Sequence, residues 1–275
     1  MNRIGLHLRL ANNFIDIIHQ ALRLNMSFFQ CFLLDPKKKK TTNIIMLDER
    51  KTCKKLLQQH QVKGYVHASY AINLASGVSD AGLYFLKKEL VMARQCGFSE
   101  IVLHPGSATG CIDRLQGIDN VVRRLNILLK NEKSIKILLE NAAFGANSIG
   151  GDLEDFKILR SKLDQPEKVG FCIDTAHAYA FGYNVADEQE QDAFIDLIGK
   201  TIGFDALSLI HLNDTKELLS SKRDRHDIIG QGMIGAHHLK RFMHHPKLVS
   251  VPVLLELPSL PEEEQKAILH TVNSW

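Results

Sequence analysis

Short apolar runs alternate with longer amphipathic segments along this chain, and the alternation repeats eight times. Runs rich in Ile, Val, Leu and Phe predict strands at Arg3–Leu8, Ser27–Leu34, Gly64–His67, Glu100–His104, Ile135–Glu140, Val169–Ile173, Leu207–His211 and Val251–Leu255. Helical spacing predicts helices at Phe14–Leu24, Glu49–Gln61, Ala81–Cys96, Ile118–Asn131, Leu153–Leu163, Glu190–Ile202, His237–Met243 and Glu262–Val272. Strands this continuously apolar suit a sheet buried on both faces. Strand–helix alternation implies parallel pairing, and eight units favour closure into a (β/α)8 TIM barrel, with a doubly wound open sheet as the alternative. The units are not self-similar, which argues against a short solenoid repeat. No low-complexity linker interrupts residues 1–275, so they are read as one domain.

Composition agrees with this picture and adds limits. A length of 275 residues is ordinary for a barrel, which takes about 250. With 45% hydrophobic and 24% charged residues, such a chain can bury a core without staples. Any metal is therefore expected to be catalytic rather than structural. Cys31, Cys53, Cys96, Cys111 and Cys172 include no Cys-x-x-Cys pair, which reads as reduced, mostly buried cysteine in a cytoplasmic protein. Arg3, His7 and Arg9 break the apolar character of Met1–Leu10, so no signal peptide is expected, and no run is long enough to span a membrane. A net charge of +3 permits a nucleic-acid partner without arguing for one. The unbroken run Lys37–Lys40 is either a solvated loop tip or a phosphate contact.

The chemistry lies where the strands end. Six apolar runs lead directly into His67, His104, Glu140, Asp174, His211 and Glu256. In a barrel all C-terminal strand ends meet on one face, where active sites form. Any one histidine after a strand is usually a hydrogen-bonded structural residue. Six strand ends in register are different, because carboxylates and imidazoles buried together need a counter-charge. His177 follows in the loop after Asp174-Thr175-Ala176, and Asp224-Arg225-His226 places two more candidates on one side of an extended segment. Nine nitrogen and oxygen donors without a thiolate suit two or three catalytic metal ions. His7 is a looser candidate for a supporting or substrate-contacting group. His19, His60, His237, His238, His244, His245 and His270 fall on helices or their ends and are read as surface or packing residues.

At these residues the chain resembles the endonuclease IV family of apurinic/apyrimidinic (AP) endonucleases. The matching segments are Val66–Leu74, Val102–Ser107, Leu139–Asn141, Cys172–Ala178, Gly182-Tyr183, His211–Asp214, Asp224–His226, Gly230–Gly232 and Leu254–Glu256. The resemblance implies three zinc ions. His67, His104 and Glu140 would hold the first, and Glu140 would bridge to a second held by Asp174, His211 and Glu256. His177, Asp224 and His226 would hold the third. The implied activity is hydrolysis of the phosphodiester 5′ to an abasic site in double-stranded DNA, leaving 3′-hydroxyl and 5′-deoxyribose phosphate ends, by a monomer acting in base excision repair. Glu256 or Glu140 would orient the attacking water and accept its proton, and the third set would serve the departing 3′ oxygen.

The departures concern DNA contacts. Ala11-Asn12-Asn13 stands where relatives usually carry a Gly-Gly loop. Leu34-Asp35-Pro36-Lys37-Lys38-Lys39 replaces a Lys-Asn-Pro-Arg-Gln-Trp pattern, so Lys37 takes the place of an intercalating arginine and lacks its planar fork. Tyr70 matches a residue that wedges into DNA, or else packs at the barrel rim, and Arg225 is a further DNA-contact candidate. Two rivals remain. In a metal-dependent sugar isomerase or epimerase, Glu140, Asp174, His211 and Glu256 would suffice, leaving His67, His104, His177, Asp224 and His226 without a task. A non-catalytic DNA-binding module would have no need of the full donor set.

Overall fold

The structure, a computed structural model, describes residues 3–9, 13–34, 47–145 and 147–275. Lys37, the Lys37–Lys40 run, Ala11 and Asn12 lie outside the described residues. The barrel strands are β1 (Ile4–Leu8), β2 (Phe28–Phe32), β3 (Lys63–His67), β4 (Glu100–Leu103), β5 (Lys136–Glu140), β6 (Val169–Asp174), β7 (Leu207–His211) and β10 (Val253–Leu255). They pair in parallel in sequence order, and β10 closes back onto β1. The outer helices are α1 (Phe14–Arg23), α2 (Leu47–His60), α3 (Ala81–Cys96), α4 (Arg114–Leu129), α5 (Glu154–Lys162), α7 (Glu188–Thr201), α8 (Gly235–His244) and α9 (Glu262–Asn273). The expected TIM barrel is therefore the observed fold.

Local chemistry moves some boundaries. The fourth helix begins at Arg114 rather than Ile118, because the Asp113 side chain accepts a hydrogen bond from Gln116 N at 2.8 Å and caps it. A short helix, α6 (Thr175–Phe181), occupies a segment expected to be loop. Two short strands outside the barrel, β8 (Asp214–Thr215) and β9 (His226–Asp227), form an antiparallel ribbon after β7. Periodicity over two residues gives no signal for such a ribbon.

The core has two compartments. The larger lies between strands and helices, where Ile101, Leu103, Ile137 and Leu139 face outward. The smaller fills the barrel interior with Phe28, Tyr65, Val102, Leu138, Cys172, Leu209 and Leu254, one from each of seven strands. The eighth strand contributes Gly5 at this level. A Cβ there would come within 2.5 Å of the Phe28 carbonyl oxygen and 2.9 Å of its ring. Glycine thus lets the Phe28 ring take the interior volume that a β1 side chain would otherwise claim.

The loop after β3 is held from outside the barrel. Glu89 on α3 is buried and accepts hydrogen bonds from Ser69 N at 3.2 and 3.3 Å. Burial pushes its carboxyl up to about 7, although the Ser69 N–H and nearby His67 pull the other way.

Two stability tests follow from these contacts. Gly5→Ala should cost about 1–3 kcal/mol by denaturant unfolding, because backbone rather than a flexible chain end meets the new methyl. Parental stability would show that β1 and β2 can part without loss. The raised Glu89 carboxyl favours the folded state below the ordinary carboxyl range, and that contribution is lost as pH rises through about 7. Glu89→Gln should therefore gain on the parent between pH 5 and 8, by up to about 3 kcal/mol. Parallel stability–pH curves would refute the assignment.

Candidate metal centre

Side chains on a strand return to the same face every second residue. Two positions beyond the interior cluster, each strand again points into the barrel. That level carries His7, Gln30, His67, Glu140, Asp174 and His211 on the strands, with His104 and Glu256 immediately after β4 and β10. The register pairs His7 with Gln30 and Asp174 with His211 directly. The site is thus the top layer of the barrel interior, one residue per strand. Three more residues close over it: His177 from the first turn of α6, Asp224 from the loop before β9, and His226 from β9 itself.

The donors converge. Glu140 is fully buried, with Oε2 3.2 Å from His67 Nε2 and 3.5 Å from His104 Nε2, and Oε1 2.8 Å from His211 Nδ1. Glu256 Oε2 lies 3.7 Å from His211 Nδ1, and Asp174 Oδ2 lies 4.0 Å from it. Asp224 faces both remaining imidazoles, with Oδ2 3.3 Å from His177 Nε2 and Oδ1 3.1 Å from His226 Nε2. His67, His104 and Glu140 form one group able to hold a metal ion. Glu140, Asp174, His211 and Glu256 form a second, and Asp174, His177 and His226 a third.

Hydrogen bonding on the outer side of each ring decides which nitrogen faces inward. His67 Nδ1 is 2.9 Å from Ala68 O, His177 Nδ1 3.1 Å from Asn141 O, and His226 Nδ1 3.3 Å from Glu256 O. A carbonyl only accepts, so each Nδ1 carries the proton and each neutral ring turns a bare Nε2 toward a carboxylate. A lone pair facing a carboxylate is repulsive unless a cation lies between them. His177 Nε2 and His226 Nε2 are accordingly buried without a hydrogen-bond partner among the described residues. In the metal-free chain a proton must take the cation's place. Burial opposes a charge on His226, yet Asp224, Asp174 and Glu256 push it up to about 9. Burial likewise opposes a charge on His177, but Asp174 and Asp224 hold it well above the usual range. Orphaned inward nitrogens, a carboxylate beside each, and outer N–H groups tied to carbonyls are the donor set a divalent ion requires.

All nine residues expected as metal donors meet at this rim, and Glu140 and Glu256, expected to be catalytic, lie among them. His177 sits on a helix rather than in a loop, because Asp174 Oδ1 accepts its backbone N–H at 2.8 Å and caps α6. His7 joins the rim through Glu256 Oε1 at 3.1 Å. Among the described residues, the helix histidines His19, His60, His237, His238, His244, His245 and His270 take no part in the metal-binding groups. Tyr70 is exposed and lines two cavities that open onto the rim, of about 250 and 470 Å³. Its ring stands 5.6 Å from that of His67. Arg225 is exposed and pairs with Glu217 Oε1 at 3.2 Å.

Sequence reasoning missed Gln30, Asn141 and Asn213 as site residues. Asn213 donates to Asp174 Oδ2 at 2.6 Å and accepts from Glu256 N at 2.8 Å. Asn141 accepts from Asp174 N at 2.6 Å. Cys172 lies close enough to Glu140 and His211 to form a group with them. Burial pushes its thiol up to about 12, so it stays protonated rather than becoming a thiolate donor. The Gly230-Gln231-Gly232 segment wraps the buried Asp214 carboxylate, which accepts N–H bonds from Gly230, Gly232 and Ile234 at 2.9–3.0 Å. A Cβ on Gly232 would collide with Asp214 Oδ1, which explains the glycine.

Comparison with known proteins agrees with this architecture. Residues 18–273 match a family described as a xylose isomerase-like TIM barrel. The chain is 31% identical to the probable endonuclease 4 of Thermosipho melanesiensis over 99% of its own length and 98% of that protein's. It superposes on the crystal structure of endonuclease IV from Thermus thermophilus with a TM-score of 0.85 and 26% identity, covering 99% and 98% of the two chains. A D-tagatose 3-epimerase-like protein gives a TM-score of 0.70 at 19% identity over 98% of each chain, a likeness of fold alone. Full-length identity and close superposition lead to one conclusion: the chain belongs to the endonuclease IV family.

Proposed function

We propose that this chain is a zinc-dependent endonuclease that cleaves the phosphodiester 5′ to abasic sites in double-stranded DNA, leaving 3′-hydroxyl and 5′-deoxyribose phosphate ends, in base excision repair. The observation that carries this reading is the set of imidazole lone pairs aimed at carboxylates within one buried rim. His67, His104 and Glu140 would hold one zinc, Glu140, Asp174, His211 and Glu256 a second, and His177, Asp224 and His226 a third, with Asp174 close to both imidazoles of the third set. When bound, such ions make water a competent nucleophile near neutral pH and offset charge on attacking and leaving oxygens.

The chain's own residues divide the remaining work. Glu256 Oε1 accepts from the Gln30 amide at 2.6 Å, and Oε2, 3.3 Å from the Asn213 amide nitrogen and 3.7 Å from His211 Nδ1, is the oxygen that would orient the attacking water and take its proton. Glu140 has both oxygens turned to imidazoles inside the barrel, which suits it to holding the site together. The four carboxylates fall short of neutralising three dications, and the surplus positive charge favours a phosphodiester. Tyr70 stands exposed beside the rim as an aromatic surface on which a distorted duplex can stack, and Lys37 together with Arg225, which is exposed beside its partner Glu217, would contact its phosphates. Abasic specificity follows from deformability, since a site without a base is cheaper to bend and flip.

Elemental analysis of the purified chain should find close to three zinc ions, and a duplex bearing one tetrahydrofuran abasic analogue should be nicked once. A single manganese or magnesium ion with no nicking would favour the sugar isomerase or epimerase reading. Asp224→Ala should retain the fold by circular dichroism while nicking falls at least about 100-fold, as expected when a metal donor is lost. Normal cutting by that variant would remove the third zinc from the proposal. Tyr70→Ala should weaken binding of the abasic duplex by about 1–3 kcal/mol with little change in turnover of bound substrate. An unchanged KM would make Tyr70 a rim residue without a DNA contact.

A further inference from the structure

His211 differs from its neighbours at the rim. The outer nitrogens of His67, His177 and His226 are tied to main-chain carbonyls, which no substitution of a side chain removes. The outer nitrogen of His211, Nε2, instead meets the side-chain oxygen of Gln30 at 3.0 Å. Gln30 is buried on β2, opposite His7 on β1 and Tyr65 on β3.

The orientation of the Gln30 amide follows from its neighbours. Its Nε2 lies 2.6 Å from Glu256 Oε1. A carboxylate only accepts, so the amide nitrogen must face Glu256 and the amide oxygen must face His211. That oxygen also only accepts, so His211 carries its proton on Nε2. The bare nitrogen is then Nδ1, which faces Glu140 Oε1 at 2.8 Å, Glu256 Oε2 at 3.7 Å and Asp174 Oδ2 at 4.0 Å. His7 Nδ1 lies 2.9 Å from the same amide nitrogen and 3.1 Å from Glu256 Oε1. One glutamine thus reads the charge of Glu256 and passes it on as the tautomer of His211.

We propose that Gln30 is a positioning residue for the metal group built on Glu140, Asp174, His211 and Glu256, fixing the His211 tautomer and the Glu256 rotamer together. This rests on the metal-centre reading above. Gln30 touches neither the ion nor the DNA in this role. Its loss should weaken one ion selectively, because each of the other two groups keeps a main-chain carbonyl behind at least one of its histidines. An outer-shell partner of this kind is typically worth about 10–100-fold in metal affinity.

The test compares the parent with Gln30→Met, which keeps length and volume but removes the amide. Competition with a graded chelator should show one of three zinc ions bound about 10–100-fold more weakly in the variant, and two bound as in the parent. Three ions held with parental affinity would overturn the proposal and leave Gln30 a filler of the barrel interior. Nitrogen-15 spectra of the zinc-loaded parent should show a His211 Nε2–H protected from exchange, and Gln30→Met should lose that protection. A parent His211 protonated on Nδ1 would overturn the proposal even if the variant fails to fold. A parent chain that binds no zinc would instead sink the metal-centre reading itself.

Discussion

Strand register is the constraint on which this site depends. A parallel barrel stacks interior side chains in levels, and one step of two residues separates the apolar level of Phe28, Tyr65, Val102, Leu138, Cys172, Leu209 and Leu254 from the polar level above. A one-residue slip in any strand would send a rim donor toward the helices and an aliphatic side chain into the rim. The hydrophobic level therefore does more than fill space. It fixes the height at which His67, Glu140, Asp174 and His211 emerge, and it walls the rim off from below. Burial explains why repulsions between lone pairs and carboxylates matter there, since water cannot relieve them.

Such a cluster is held against its own electrostatics by groups that carry no charge. Asn213 ties Asp174 to Glu256, Asn141 ties Asp174 to β5, and main-chain carbonyls tie three imidazoles. Each of these carbonyl bonds points outward from the rim and leaves the inner face of the ring to the carboxylates. The same economy appears in the ribbon. Asp214 gathers the N–H groups of the Gly230–Ile234 segment, and the Thr215 pairing with His226 sets the far end of the segment that carries Asp224.

The barrel and the six candidate donors at its strand ends were legible from short-range rules, whereas His177, Asp224 and His226 stood out by residue type and spacing rather than by strand pattern. Apolar runs ending in His, Asp or Glu mark strands whose tips converge, and convergence needs no further information once the fold is a closed barrel. Gln30 was not legible as part of the site, although the sequence held its signal. In Phe28-Phe29-Gln30-Cys31-Phe32 a lone polar residue interrupts an apolar strand, two positions past an interior aromatic. Amides do not head a list of metal donors, so residue type hid what register would have revealed. The ribbon and α6 were hidden for another reason. The helix is set by one capping contact and the ribbon by two residue pairs, and hydrophobic periodicity does not register so few contacts.

Asp174 joins these two kinds of information. Its place at the end of β6 is a matter of strand pattern, but its two oxygens do different work. Oδ1 caps α6 by accepting the His177 N–H, and that cap points the His177 ring into the rim. Oδ2 accepts from Asn213 and lies 3.6 Å from His226 Nε2 and 4.0 Å from His211 Nδ1. One carboxylate therefore starts the helix that supplies a candidate donor and faces residues of two groups able to hold a metal ion. Those groups are coupled through it, so the geometry of the group nearest the ribbon is tied to the strand that carries the other. Neither can be shifted alone, which is the property a site needs if attacking and leaving oxygens are to be held at a fixed separation.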